Sequence, residues 1–194
     1  MKKTIVVGIA GGSASGKSTF SANLENELKQ ILPENSIYVM HMDNYFKAEK
    51  DRLCSISPLN GKCYMDDNHP QSMELERFCD DLRKISESRE YTVLIAEGLM
   101  TLYDSNIREL CDIKIFIDCR ADERIVRRIK RNMQWGQTFE QITDVYLNLV
   151  RFRHDEYVEP SRWQADFIIN GAKPFEKAIH MISAYLINMR SNTD

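Results

Sequence analysis

Residues 11–18 read Gly-Gly-Ser-Ala-Ser-Gly-Lys-Ser, and this octet restricts the fold more than any other stretch of the chain. The spacing G-x-x-x-x-G-K-S has a mechanical meaning only between a strand and a helix. Both flanks comply. Thr4–Ala10 is a continuous apolar, largely β-branched run that reads as a strand buried on both faces. A helix is expected to open at Lys17 and to run to about Leu32, where Pro33 stops it. The glycines let the backbone approach an anion with no Cβ in the way. Successive N–H groups and the helix N-terminus then supply partial positive charge. Gly11, Gly12, Ser13, Ala14, Ser15, Gly16, Lys17, Ser18 and Thr19 are therefore candidates to hold the phosphates of a nucleoside triphosphate. Lys17 would reach the β- and γ-phosphates, and the Ser18 hydroxyl would meet Mg²⁺. GTPases, motor ATPases and transporters carry the same cradle, so further residues must select the activity.

Strand and helix patterns alternate along the rest of the chain. Ser36–Met42, Thr92–Ala96, Ile113–Ile117 and Asp166–Asn170 read as strands. Leu75, Phe78, Leu82 and Ile85 mark one apolar helical face, Ile125, Ile129 and Met133 a second, and Phe139, Ile142, Tyr146 and Leu149 a third. Pro174 suits the first turn of a closing helix through about Met189. The pattern predicts one α/β domain over residues 1–194, with a mainly parallel sheet covered on both faces. Asp43–Pro70 reads as polar and irregular, long for a structureless loop, and such loops carry function or move.

A formal charge of −3 argues against a nucleic-acid partner. The five cysteines contain no C-x-x-C pair, which argues against zinc or a disulfide scaffold and for reduced thiols. Lys2 and Lys3 before an apolar run imitate a leader peptide, but the run is too short. No stretch reaches membrane-spanning length. The cytoplasm is the expected compartment, and the oligomeric state is open, a homo-oligomer included.

Two carboxylates stand where strands end. Asp43 follows the second strand directly and should face the crevice that the phosphate loop faces. There it can take the proton of an attacking hydroxyl and touch a Mg²⁺ shell; it can equally cap a turn with Asn44. Glu97 ends a buried strand, a costly position unless it meets a cation or water. Arg124, Arg127, Arg128 and Arg131 recur at helical spacing, opposite Ile125 and Ile129. They suit the spreading charge of a transferring phosphoryl group, or form a solvated basic face. Gly136 reads as a hinge, giving a lid over about residues 124–154.

Taken together, Ile9–Thr19, Met42-Asp43-Asn44-Tyr45-Phe46-Lys47, His69-Pro70, Ile95-Ala96-Glu97-Gly98, Arg127–Arg131, Glu159-Pro160-Ser161 and Ala165–Ile169 resemble the uridine kinase and phosphoribulokinase group of P-loop kinases. The resemblance is greatest to the uridine kinases. It implies a three-layer P-loop NTPase fold, with a five-stranded parallel sheet flanked by helices and a helical lid. It implies transfer of the γ-phosphoryl of ATP, with Mg²⁺, to a primary hydroxyl of a small acceptor such as a uridine- or cytidine-type nucleoside or a related riboside. Asp43 falls on the family's catalytic base, Ser18 and Glu97 on metal-associated positions, and Arg128 and Arg131 on phosphate-contacting lid positions. Asp43, Tyr45, Phe46, Asn68 and His69 are the candidate acceptor residues.

Three departures stand out. Asn68 occupies the place of an Asp that binds ribose hydroxyls in uridine kinases. Gln71–Thr92 leaves no room for the inserted strand pair that encloses the pyrimidine. The lid's arginine-glycine-arginine element is Trp135-Gly136-Gln137. The acceptor is thus expected to be poorly served by a uridine pocket. A non-nucleoside alcohol kinase, or a regulatory ATPase without a small acceptor, remains the alternative.

Overall fold

The computed structural model describes residues 3–191, so Lys2 lies outside the described residues. β1 (Ile5–Gly11) leads through the phosphate loop to α1 (Lys17–Ile31) and then β2 (Ile37–His41). A short antiparallel hairpin, β3 (Cys54–Ile56) and β4 (Cys63–Met65), precedes α2 (Leu75–Ser88) and β5 (Val93–Glu97). α3 (Ser105–Leu110), β6 (Ile113–Asp118) and α4 (Ala121–Gln134) follow. A second helical run starts with α5 (Phe139–Val145) and includes α6 (Arg151–Arg153). π-helical turns at Tyr146–Val150 and His154–Val158 flank α6, and a 3₁₀ stretch, Glu159–Gln164, ends the run. β7 (Phe167–Asn170) and α7 (Glu176–Ser191) close the described chain.

The main sheet has five strands in the order β2-β5-β1-β6-β7, all parallel. Strand side chains alternate between faces, so β1 feeds two cores at once. Val7 and Ile9 join Phe20, Leu24 and Leu28 of α1 and Ile179 and Ile182 of α7 on one face. Val6 and Ala10 join Phe78 and Leu82 of α2 and Ile107 of α3 on the other. Truncating a fully buried residue such as Phe78 to alanine should cost about 3–5 kcal/mol. The fold is the α/β parallel sheet with helices on both faces and a helical lid.

The register fixes the active end of the sheet. Ile9 of β1 and His41 of β2 both lie level with Glu97 of β5. Gly98 then permits a close approach, because a Cβ there would overlap the Met42 side chain. This brings the chain beside Asp43 against the end of β5.

Two expectations change. Residues 43–70 are not wholly irregular: they contain the hairpin and 3₁₀ turns at Met42–Tyr45, Glu49–Asp51 and Pro70–Ser72. Each hairpin strand has three residues, too few for alternation to show in the sequence. Nor are all thiols reduced. Pairing of β3 with β4 brings the Cα atoms of Cys54 and Cys63 to 5.9 Å, and the two form a disulfide, while Cys79, Cys111 and Cys119 are free and buried. A spacing of nine residues resembles no redox or zinc motif, so only the hairpin reveals the pair. Among the described residues no helix is long and apolar enough to cross a membrane.

Candidate active site

The phosphate loop is built as its spacing requires. Gly16 has φ +104°, a left-handed conformation that L side chains rarely adopt, and it launches α1. The Ser15 N–H donates to the Gly12 carbonyl at 3.0 Å, which curls the loop. A cavity of about 600 Å³ opens over it, lined by Ala14, Gly16, Lys17, Ser18, Thr19, Asp43, Arg127, Arg131 and Trp135. Gly11, Gly12 and Ser15 are buried beneath this surface, where they shape the loop.

Glu97 is only 3% exposed. The Ser18 hydroxyl lies 3.3 Å from both of its carboxylate oxygens, and His41 Nδ1 lies 2.8 Å from Oε1. The strand-end carboxylate is therefore held from two sides, beside the lysine that closes the loop. Among the described residues no group of three or more His, Cys, Asp or Glu could hold a metal alone. Ser18 and Glu97 offer hard oxygen ligands that suit Mg²⁺ only in partnership with phosphate oxygens and water. His41 was not foreseen, because a lone histidine at a strand end carries no sequence signal.

The four arginines divide. Arg124 is buried, and its Nε–H donates to the Cys119 carbonyl at 2.9 Å. Arg127 donates to the Gly171 carbonyl at 2.8 Å, tying the β7–α7 turn to α4. Arg128 and Arg131 converge on the phosphate loop, donating to Ser13 Oγ at 2.9 and 3.4 Å. Burial lowers the pKa of both guanidinium groups. Arg131 lowers that of Arg128 further, and Asp43 offsets part of the effect on Arg131. Arginine stays protonated, so these are crowded, partly dehydrated cations suited to an anion.

A second cavity, about 340 Å³, adjoins the first. Phe46, Leu99 and Trp135 give it an apolar part, and Asp67, Asn68, Asn132 and Gln137 a polar one. Ser13 and Arg128 line it as well. Lys17, Asp43, Arg131 and Trp135 line both cavities and so form their common wall. Of the candidate acceptor residues, Asp43, Phe46 and Asn68 line this space, whereas Tyr45 and His69 line neither cavity. Tyr45 packs edge-on against Phe78 and donates to Asp81 at 2.8 Å; burial, then Asp81, pushes its pKa up to about 12. His69 contacts Tyr157 instead.

The sequence profile of the Phosphoribulokinase / Uridine kinase family matches residues 77–174, 98 of the 194 residues. The chain belongs to this family. Uridine kinases of Clostridium botulinum (strain Kyoto / Type A2) and Clostridium perfringens (strain SM101 / Type A) are 31% and 33% identical to it. The match covers 95% of this chain in both cases, and 96% and 95% of those proteins. A solved structure described as a possible uridine kinase from Bacillus stearothermophilus superposes with a TM-score of 0.60 at 18% identity, covering 88% of this chain and 90% of that one. That likeness concerns the fold alone.

The protein is a P-loop kinase that uses a nucleotide and moves a phosphoryl group to a small-molecule acceptor. Its second cavity includes two residues that no motif marks, Leu99 and Asn132, beside Asp67 next to Asn68 and Gln137 of the altered lid element. In the sequence Trp135 stands out only as a departure in the lid. In the structure it stacks under Arg131, whose guanidinium carbon is 4.8 Å from the ring centroid, and it is 69% exposed. A tryptophan next to a glycine in a polar segment is the signal that the sequence offers.

Proposed function

We propose that this P-loop kinase transfers the γ-phosphoryl of ATP to the primary hydroxyl of a nucleoside of the uridine or cytidine type, or of a related riboside. One observation carries the reading: Asp43, Lys17 and Arg131 stand on the wall common to a phosphate-loop cavity and a mixed polar–apolar cavity. A donor in the first and an alcohol in the second would meet at these side chains.

Asp43 accepts the proton of the acceptor hydroxyl as that oxygen bonds to the γ-phosphorus. The bond from the γ-phosphorus to the bridging oxygen breaks, and ADP leaves. Lys17, Arg128 and Arg131 stabilise charge on the transferring group, and the N–H groups of Gly11–Thr19 cradle the remaining phosphates. Mg²⁺, held through Ser18 with Glu97 and Asp43 nearby, would supply further positive charge at the β- and γ-phosphates. Phe46 and Trp135 offer apolar surface to the acceptor body, and Asn68 can bond a hydroxyl. The proposed setting is the cytoplasm, with no nucleic-acid or membrane partner and with a homo-oligomer compatible.

A kinase of a non-nucleoside alcohol is the second reading. It is favoured by the absence of a pyrimidine-enclosing insertion between Gln71 and Thr92, a segment occupied by α2. A coupled assay of ADP release over nucleosides, other ribosides and sugar alcohols separates the two. Turnover of a riboside at a kcat/KM in the usual range of about 10⁴ M⁻¹s⁻¹ or above supports the proposal. Turnover of sugar alcohols alone selects the second reading.

A further inference from the structure

The acceptor cavity borrows Asp67 and Asn68 from a turn that has little regular structure of its own. Asp66 begins that turn and is fully buried, a costly site for a carboxylate unless it is paired. Its Oδ2 accepts from Arg153 Nε at 2.6 Å, and its Oδ1 accepts from the Asn68 N–H at 3.2 Å. One carboxylate thus joins α6 to the backbone that presents Asn68. The backbone carbonyl of Asp66 accepts from the His69 N–H at 3.2 Å, and its N–H donates to Leu53 at 2.8 Å.

A second attachment lies one residue past Asn68. His69 Nδ1 accepts from the Gln71 N–H at 3.1 Å, so the neutral ring carries its proton on Nε2. That proton points to the Tyr157 oxygen 2.9 Å away. Burial lowers the His69 pKa and favours this neutral form. The Arg153 guanidinium, which also pairs with the Glu156 carboxylate, lies over the Tyr157 ring at 5.9 Å from its centroid. Asp66, Arg153, Glu156, Tyr157 and His69 therefore form one connected set between the helical run and the turn. Arg153 and Tyr157 line neither cavity, and no hydrogen bond or ion pair of theirs reaches the phosphate loop.

We infer that Arg153 and Tyr157 are positioning residues for the acceptor, holding the Asp66–His69 turn so that Asp67 and Asn68 face the second cavity. The inference rests on the reading of that cavity as the acceptor site. The contacts bridge segments 87 and 88 residues apart and leave the donor side untouched. Their loss should therefore separate the two substrates.

The test uses the full chain with Arg153→Met, Arg153→Lys and Tyr157→Phe. Asp66→Asn combined with Arg153→Met removes both charges, in case an unpaired Asp66 prevents folding. Amide exchange by mass spectrometry compares residues 64–72 with 11–19, and steady-state assays use ATP with uridine and with cytidine as probes. Arg153→Met and the double variant should raise exchange in 64–72 about ten-fold while 11–19 keeps its protection. The KM of whichever probe is turned over should rise about ten-fold, with kcat and the KM for ATP within two-fold. Arg153→Lys should recover part of the loss, and Tyr157→Phe should show a smaller rise. Unchanged exchange in 64–72 in both charge variants overturns the inference, as does an equal rise in both KM values. If the native protein turns over neither probe, the nucleoside reading fails, while the exchange comparison still decides whether Arg153 holds the turn.

Discussion

The two halves of the site are held by different kinds of structure. The donor half sits at the end of a sheet whose central strand, β1, is buried at all seven positions. Backbone ladders from β5 and β6 fix it on both sides. The acceptor half rests on residues 43–70 and on helices α4 and α5 with their flanks, where single side-chain contacts such as Arg153–Asp66 and Tyr64–Asp144 set positions. A ladder averages over many bonds and tolerates local change, whereas one buried ion pair does not. The donor half should therefore be robust and general, and the acceptor half sensitive and particular to this chain.

The largest effect is expected from Lys17→Met. Loss of the one lysine on the common wall should lower kcat/KM by about 10³-fold or more, read by ADP release. Retention within ten-fold would place the donor elsewhere. Gly98→Ala comes next. Its Cβ must displace Met42, the neighbour of Asp43, so kcat should fall about 10–100-fold and stability by about 1–3 kcal/mol. An unaltered kcat beside a lowered melting temperature would show that the Met42 side chain yields without moving Asp43.

Trp135→Ala probes the other half. The acceptor KM should rise about ten-fold through lost apolar contact and loss of the Arg131 stack, with the KM for ATP within two-fold. A larger change for ATP would assign Trp135 to the donor cavity, which it also lines.

The smallest effect concerns stability alone. Burial, then Arg124, lowers the His154 pKa to about 4, although Glu159 lies 3.3 Å from Nε2. The unfolded chain, with a histidine pKa near ~6.5, binds more protons between these values. The stability contributed by neutral His154 is thus present above about pH 6.5 and falls by up to about 3 kcal/mol as pH drops towards 4. His154→Gln should flatten that acid limb in urea unfolding at stepped pH. An identical slope in both proteins would show that another group carries it.

The same contrast explains what the sequence disclosed. The strands read from apolar runs agree with those of the structure to within a residue or two, because a two-sided parallel sheet writes itself as continuous apolar segments. Gly11–Thr19, Asp43 and Glu97 were legible because each sits at a strand end or in a fixed spacing. The acceptor side was legible only in part: Asp43, Phe46 and Asn68 line the second cavity. Tyr45 and His69 belong to segments that carry the family resemblance, yet both side chains satisfy neighbours, Asp81 and Tyr157, and line neither cavity. Asp67, Leu99 and Gln137 come from three separate segments and share no spacing. The Cys54–Cys63 pair and the role of Arg153 depend on pairings across a hairpin and between distant segments, which no local pattern records.

Asp43→Asn tests the central claim most directly, since Asp43 stands where the two halves meet. ATP affinity by titration calorimetry and single-turnover transfer should be measured on the same preparation. The account predicts ATP binding within about two-fold of the native protein and transfer slowed by about 10²–10⁴-fold. Transfer at the native rate, or loss of ATP binding in step with transfer, would contradict it.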